Sequence, residues 1–145
     1  MLRISRLADY ATVIMNFLAE KPENRYSAAQ VAAGIQMATP TASKILKLLN
    51  EAGLVNSERG VNGGYQLVKL PQYISLAEII TAIDGQPAMT ECSKKEHGCS
   101  RGDFCQLRGN WQFINRVVFK VLNDVSLADM GRPLENHSDL TSNKD

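Results

Sequence analysis

Apolar positions near the start of the chain recur at helical spacing and predict a first helix. This helix should run from about Ser5 to Glu20, because Pro22 ends the pattern. Its buried stripe is expected to consist of Leu7, Tyr10, Ala11, Ile14 and Leu18.

Two more helices are predicted before residue 53. Ser27 and Gln30 form a capping-box pattern, which opens a short helix that ends near Gly34. A third helix is predicted to start with Thr39 as its cap and Pro40 at the first helical position, where a missing N–H costs nothing. The apolar stripe of this third helix is Ile45, Leu46, Leu48 and Leu49.

Beyond Gly53, which fits a C-terminal helix cap, the pattern becomes that of a β-hairpin. Residues 54–59 and 65–68 predict two strands, joined by a glycine-rich turn at 60–64. A helix, a short helix, a capped helix and a hairpin in this order are typical of a winged helix-turn-helix. The sequence therefore predicts a mainly α fold with a small β-hairpin wing, and residues 1–72 as its DNA-binding region.

Residues 73–130 begin with a short helix and then lose all periodicity. Ser75 and Glu78 form a second capping box, which opens a helix that should end at Asp84. Residues 86–105 hold every cysteine of the chain and predict an unusually long loop. Loops of that length are usually functional, or are held in place by something other than a core.

A long helix is predicted for residues 106–123, with apolar residues at alternating spacings of four and three. Such spacing is an a/d seam, which either packs on its own domain or forms a dimer interface. We favour a homodimer, because a regulator that reads palindromic DNA needs two-fold symmetry. Residues 131–145 are polar and are predicted to be a flexible tail. The seam of this dimerisation helix comprises Leu107, Trp111, Ile114, Val118 and Val121.

Composition narrows the class of protein without deciding it. The chain has 145 residues, 44% of them hydrophobic, which suits one folded domain rather than a disordered chain. Its net charge is only +1, but residues 1–72 carry eight Lys and Arg against five Asp and Glu, a mild local basic excess. No apolar stretch approaches the roughly 20 residues of a membrane span, and no signal sequence is evident. We expect a cytoplasmic protein.

The third helix and the wing supply the candidate DNA contacts. Side chains off the apolar stripe of this helix can donate to phosphates or bases, and its lysines can neutralise phosphate charge. Arg59 is placed to enter a minor groove, and Gly60 and Gly63 let the backbone approach closely. The alternatives are solvated lysines on an ordinary helix, or a winged helix that docks a protein. The helix residues concerned are Thr39, Thr41, Ser43, Lys44 and Lys47.

The three cysteines form a pattern that matches neither a zinc knuckle nor a bacterial ferredoxin motif. Cys92, Cys99 and Cys105 lie close together in sequence, and thiolates bind soft or borderline metals. Three ligands leave one position open. Spacing alone does not choose among a metal centre, a structural zinc and metal-free redox thiols. Candidates for a fourth ligand on the same loop are Glu91, Glu96 and His97.

Taken together, these motifs resemble the Rrf-type family of bacterial iron–sulfur winged-helix regulators over about residues 1–130. The residues that carry the resemblance are Asp9-Tyr10, Gly53-Leu54-Val55, Arg59-Gly60-x-x-Gly63-Gly64-Tyr65, and the three cysteines followed by Trp111. Within the family, the chain most resembles regulators of the SUF iron–sulfur assembly operon. That closer likeness rests on Thr90-Glu91-Cys92, Asn110-Trp111-Gln112, Ile114-Asn115 and the run from Val125 to Met130.

The resemblance implies a homodimer with crossing C-terminal helices, and a two-iron or four-iron cluster held by Cys92, Cys99 and Cys105. IscR-like members place a histidine ligand three residues after the last cysteine, where this chain has Arg108, whose guanidinium is always cationic and cannot bind iron. NsrR-like members use an aspartate from the partner's first helix, and Asp9 matches that position. We therefore predict Asp9, contributed by the partner subunit, as the fourth ligand. The alternative is an ordinary solvated residue near a helix start.

The expected function is regulation of transcription rather than catalysis. The sequence shows no phosphate loop, no nucleophile–base pair and no usefully spaced carboxylate pair, so we expect neither an enzyme nor a small-molecule substrate. We expect the cluster-bound dimer to bind a double-stranded DNA operator and repress SUF genes until oxidative stress or iron shortage relieves it. Alternatives are a metal-free thiol redox regulator of the same fold, a nitric-oxide-responsive repressor, and a small iron–sulfur enzyme or electron carrier.

Overall fold

The computed structural model describes residues 3–90, 93 and 105–134. Within these ranges, no helix is both long and apolar enough to cross a bilayer. The element order confirms the predicted winged helix-turn-helix followed by a long C-terminal helix. The elements are α1 (Arg6–Glu20), α2 (Ala28–Gly34), α3 (Thr39–Glu51), β1 (Val55–Glu58), β2 (Gly64–Leu67), α4 (Leu76–Asp84), α5 (Arg108–Asp124) and α6 (Leu127–Met130).

One hydrophobic core holds α1, α2, α3 and the base of the hairpin together. The predicted stripes of α1 and α3 form the part of it between these two helices, and their central side chains are almost completely buried. Each large apolar side chain buried in this way contributes about 1.5–3 kcal/mol to the free energy of folding. The most buried large members from these two helices are Ile14, Met15, Leu18, Ile45, Leu46 and Leu49.

Helix α3 begins one residue earlier than predicted. Its N-cap is Ala38, which has extended backbone angles and makes no side-chain cap, so the prediction that Thr39 caps the helix is wrong. Thr39 lies inside the helix and is exposed. The other end agrees with the sequence: Gly53 has φ +77°, and the N–H groups of Gly53 and Leu54 donate to the carbonyls of Asn50 and Leu49 (both 3.0 Å).

The hairpin packs one face on the core. Val55 pairs with Leu67, and both side chains are buried, while Asn56 and Gln66 pair on the opposite face. Strand β1 is one residue shorter than predicted at each end, and β2 is shifted by one residue toward the N-terminus. Tyr26, between α1 and α2, pairs with Tyr65 through two backbone hydrogen bonds (3.0 and 2.7 Å). Strand β2 therefore lies between β1 and the α1–α2 connection.

Replacing Gly64 with alanine should destabilise the protein by about 2–4 kcal/mol. Gly64 has φ +138°, and an added Cβ would lie 2.6 Å from both the carbonyl carbon and the carbonyl oxygen of Tyr26. Urea unfolding followed by circular dichroism measures the effect. Gly53→Ala is the matched control, because Gly53 also has a positive φ but open space around it, so only backbone strain of about 1–2 kcal/mol is expected. Equal losses of stability for the two variants would contradict the close approach.

The helices after the wing are tied to one another by paired caps. Ser75 and Ser126 each cap a helix through a complete capping box, and these two residues also pair as an isolated β-bridge. The predicted capping boxes of α2 and α4 are confirmed.

Burial acts to raise the pKa of Glu78, but its hydrogen bonds with Lys69 (2.8 Å) and Ser75 outweigh burial and lower that pKa. The stabilisation by Glu78 is therefore lost as pH falls through the lowered pKa.

Helix α5 differs from the other long helices in having no buried residue. It starts two residues later than predicted, so Leu107 is its N-cap and lies just outside the helix. The helix packs against α4 along one side. The predicted seam is half-buried at Val118 and exposed at Leu107, Trp111, Ile114 and Val121.

Candidate nucleic-acid interface and cysteine segment

The side of α3 opposite the core presents polar and cationic groups. Thr39, Lys44 and Lys47 are exposed, and Thr41 and Ser43 are half-buried. Lys44 and Lys47 are three residues apart, so they lie on one face of the helix. Neither lysine forms an ion pair with a carboxylate in the described part of the chain. Their charges are therefore free to neutralise an external anion.

The wing tip is built to keep its backbone accessible. Arg59 and Gly60 are exposed, and Gly60 has φ +113°, which favours glycine. The N–H of Gly63 donates to the carbonyl of Gly60 (3.0 Å) and closes the turn. A Cβ at Gly63 would lie 2.3 Å from the carbonyl oxygen of Glu58, so a side chain there would open the turn. The sequence analysis missed Val61, whose side chain is fully exposed at the tip.

The cysteine segment, residues 86–105, is described at residues 86–90, 93 and 105. Cys92 and Cys99 lie outside the described residues, as do Glu91, Glu96 and His97. Cys105 is half-buried, and its carbonyl accepts a hydrogen bond from the N–H of Arg108 at the start of α5 (3.3 Å).

Both ends of that segment lie beside the first half of α5. The N–H of Met89 donates to Oδ1 of Asn115 on α5 (3.1 Å), and Cys105 immediately precedes the same helix. Met89 and Cys105 thus both lie at α5.

Asp9 lies in the first turn of α1, exposed to solvent. Its carboxylate has no hydrogen-bond or ion-pair partner among residues 3–90, 93 and 105–134. Asp9 lines a groove of about 400 Å³ together with Arg3, Arg6 and Thr12. The described part of one chain does not bring three or more metal-ligating side chains together.

The first helix is tied to the end of α4 by a polar contact. Ser5 caps α1 by accepting a hydrogen bond from the N–H of Ala8, and its hydroxyl donates to the carboxylate of Asp84. The backbone N–H of Ser5 donates to the same carboxylate (3.1 Å). Asp84 is the last residue of α4, shortly before the chain enters the cysteine segment. The start of α1 and the start of that segment are thus joined.

A helix-turn-helix with a cationic outer face and a glycine-turn wing defines a winged helix-turn-helix protein. The chain belongs to the Rrf2 family, whose model is described as an iron-dependent transcriptional regulator and matches residues 4–133. The family resemblance inferred from the sequence motifs is confirmed. The closer likeness to regulators of SUF genes stays a prediction.

Individual relatives agree with this family. The chain is 36% identical to the transcriptional regulator IscR of Yersinia enterocolitica over 87 residues, which is 60% of this chain and 52% of that protein. The chain thus spans about half the length of that relative. Among solved structures, T. potens IscR has a TM-score of 0.67 at 26% identity and covers 99% of this chain and 94% of its own. CymR, the global cysteine regulator of B. subtilis, has the same TM-score and identity, with 90% and 97% covered. These relatives are regulators rather than enzymes.

Proposed function

We propose that this protein is a cytoplasmic, homodimeric transcriptional regulator that binds operator DNA through residues 1–72. The observation that carries the proposal is the unpaired cationic face of α3, a helix that contacts the first strand of the wing. In a helix-turn-helix, the second helix enters the major groove and its exposed face meets bases and phosphates. Membership of a family of transcriptional regulators supports the same interpretation.

Dimerisation through α5 is the second part of the proposal, with residues 73–130 as the cluster-binding and dimerisation region. Trp111, Ile114 and Val121 lie along one side of α5 and are exposed in the single chain. An exposed apolar stripe of this kind is covered by another protein surface when it is functional. A second copy of the same helix is the partner that two-fold symmetric DNA requires.

An iron–sulfur cluster bound by Cys92, Cys99 and Cys105 is the third part of the proposal. Thiolates are the usual ligands of such clusters, and the carboxylate of Asp9 is unpartnered within the described ranges, as a ligand contributed across the dimer would be in one chain alone. The donor types therefore fit the group. When bound, the cluster supplies a link between the two subunits that depends on iron and on the redox state. Because carboxylate binds iron less covalently than thiolate does, that link is expected to be labile.

The polar tie between Ser5 and Asp84 gives this sensing a route to the DNA-binding half. Asp84 shortly precedes the cysteine segment, while Ser5 caps the helix that carries Asp9 and packs against α3. A rearrangement of the segment therefore acts on α1, and through it on the separation of the two α3 helices. Operators fix that separation at about one DNA turn. We propose that the cluster-bound dimer represses SUF assembly genes.

Replacing both Lys44 and Lys47 with alanine should weaken operator binding at least about tenfold and lower the salt dependence of the affinity. The slope of log affinity against log salt concentration should fall by about 0.9 for each phosphate that is no longer neutralised. Fluorescence anisotropy measures both quantities, with a duplex that the wild-type protein has selected from a random pool. Lys69→Ala is the matched control, because the charge of Lys69 is already paired with Glu78 at 2.8 Å. An unchanged slope in the double variant would contradict the assignment of α3 as the helix that reads DNA.

A metal-free thiol regulator of the same fold is the second candidate function. The observation that favours it is the structural similarity to CymR, the global cysteine regulator of B. subtilis, which shows that the fold is not confined to proteins named for iron–sulfur clusters. The two candidates differ in the visible absorbance, iron and sulfide of protein purified without oxygen. Colourless protein that stays colourless after reconstitution with iron and sulfide would select the metal-free regulator.

A further inference from the structure

Arg25 bridges two parts of the molecule that are distant in sequence. It lies in the connection between α1 and α2, directly before Tyr26, which pairs with β2. Its guanidinium donates from Nη1 to Oδ1 of Asn56 (3.1 Å) and from Nη2 to Oε1 of Glu58 (2.9 Å). Because β2 lies between Tyr26 and β1, the Arg25 side chain must extend across β2 to reach these acceptors. Its side chain is only 22% exposed.

The contacts of Arg25 belong to a larger strap over the outer face of the wing. Asn56 and Glu58 alternate along β1, and Gln66 is the cross-strand partner of Asn56, so all three lie on the face away from the core. Gln66 donates from Nε2 to the carbonyls of Pro22 and Glu23 (both 3.1 Å). The α1–α2 connection therefore holds both strands of the wing, and the wing cannot tilt without breaking these bonds.

The charge of Glu58 gives this strap an electrostatic consequence. Glu58 directly precedes Arg59 and is 62% exposed at the base of the wing tip. A carboxylate at that position would repel the phosphates that Arg59 approaches. Arg25 pairs with this carboxylate, and its forked guanidinium also holds Asn56 on the same strand. The cation of Arg25 is thus used within the protein rather than offered to DNA.

We propose that Arg25 is a positioning residue for DNA binding. It fixes the angle of the wing and neutralises Glu58, so that Arg59 reaches the groove, and it touches no DNA itself. This inference rests on the proposed DNA-binding function. It adds a residue from outside both the recognition helix and the wing to the set that determines affinity.

A double-mutant cycle between Arg25 and Glu58 tests the proposal. We expect Arg25→Ala to weaken operator binding about tenfold, and Glu58→Gln to leave it equal or stronger, because glutamine keeps an acceptor but carries no charge. In the Glu58→Gln background, the loss of affinity caused by Arg25→Ala should shrink to about threefold. Anisotropy with the selected duplex gives the affinities. The same loss in both backgrounds, or no loss in either, would overturn the proposal.

A second variant separates positioning from direct phosphate binding and from a folding defect. Arg25→Lys keeps the positive charge but cannot hold Asn56 and Glu58 together, so we expect an intermediate loss of affinity at an unchanged salt slope. For Arg25→Ala, a fall in slope of about 0.9 per phosphate would instead identify Arg25 as a DNA contact and overturn the proposal. Thermal unfolding of each variant shows whether it is folded at the assay temperature.

The failure of this inference and that of the proposed function give different results. If the Arg25 variants bind normally while Lys44→Ala with Lys47→Ala weakens binding, then Arg25 has no positioning role and α3 still reads DNA. If the wild-type protein selects no duplex from the pool and shows no salt-dependent binding, the DNA-binding function itself is wrong.

Discussion

Replacing Ile114 with aspartate should convert the proposed dimer to a monomer and weaken operator binding at least about a hundredfold. Ile114 lies in the middle of the α5 seam, with Trp111 one turn before it, and the two side chains are 39% and 37% exposed in the single chain. If a second α5 covers this stripe, the aspartate must be buried without a partner, which costs several kcal/mol. Monomers would then bind one half-site at a time and lose the advantage of joint binding.

Sedimentation equilibrium and anisotropy with the selected duplex measure this effect. Phe113→Asp is the matched control, because Phe113 is an exposed apolar residue of the same helix but lies off the seam, where Arg116 stacks on its ring at 5.9 Å. The control should remain dimeric and bind DNA. An Ile114→Asp variant that stays dimeric would place the dimer interface elsewhere. A wild-type protein that is monomeric at micromolar concentration would contradict the dimer itself.

Replacing Cys105 with serine should abolish the proposed iron–sulfur cluster. A serine hydroxyl is far less acidic than a thiol and is a poor iron ligand, so the variant should lose its visible absorbance and most of its iron and sulfide. The measurement is the visible and circular-dichroism spectrum of anaerobically purified protein, with iron and sulfide counted per chain. Operator affinity of the variant should equal that of wild-type protein stripped of iron. If the variant loses its colour but its operator affinity does not change, the protein binds a cluster but does not use it to control DNA binding.

Asp9, the proposed fourth ligand, can be tested against a control residue on its own helix, α1. Asp9→Ala keeps three thiolates, so we expect a cluster that forms but is lost faster in air or chelator. Glu20→Ala, at the other end of α1, should behave like wild type. Identical spectra and identical cluster lifetimes for Asp9→Ala and wild type would identify Asp9 as an ordinary solvated residue.

The elements of the fold followed from short-range signals in the sequence. The capping boxes at Ser27 and Ser75 appear where the sequence placed them, because each involves residues three positions apart. The start of α3 was misplaced, because Thr39 looks like a cap residue but Ala38 takes the extended conformation at the cap position. That difference matters for the site: Thr39 is exposed and its hydroxyl is not used in a cap.

The candidate site was predictable as residue types but not as a set of contacts. The lysines of α3 and the glycines of the wing could be assigned from helical period and turn chemistry. Arg25 was missed, because it lies outside every motif and its partners are 31 and 33 positions away. The strand pattern gives only a general signal. Asn56 and Glu58 are polar and lie on one face of β1, which predicts hydrogen-bond donors near them but does not identify Arg25.

The sequence by itself determined which segments become helices and strands, approximately where they begin and end, and which residue types face outward. Those properties depend on interactions within about four residues, so a single segment contains the information. Only the tertiary structure decided that Ser5 is bonded to Asp84, that Arg25 crosses the wing to Glu58, and that α5 has no buried residue. Such contacts join residues far apart in the chain. They exist only once the core has fixed the relative positions of the elements, which no local pattern encodes.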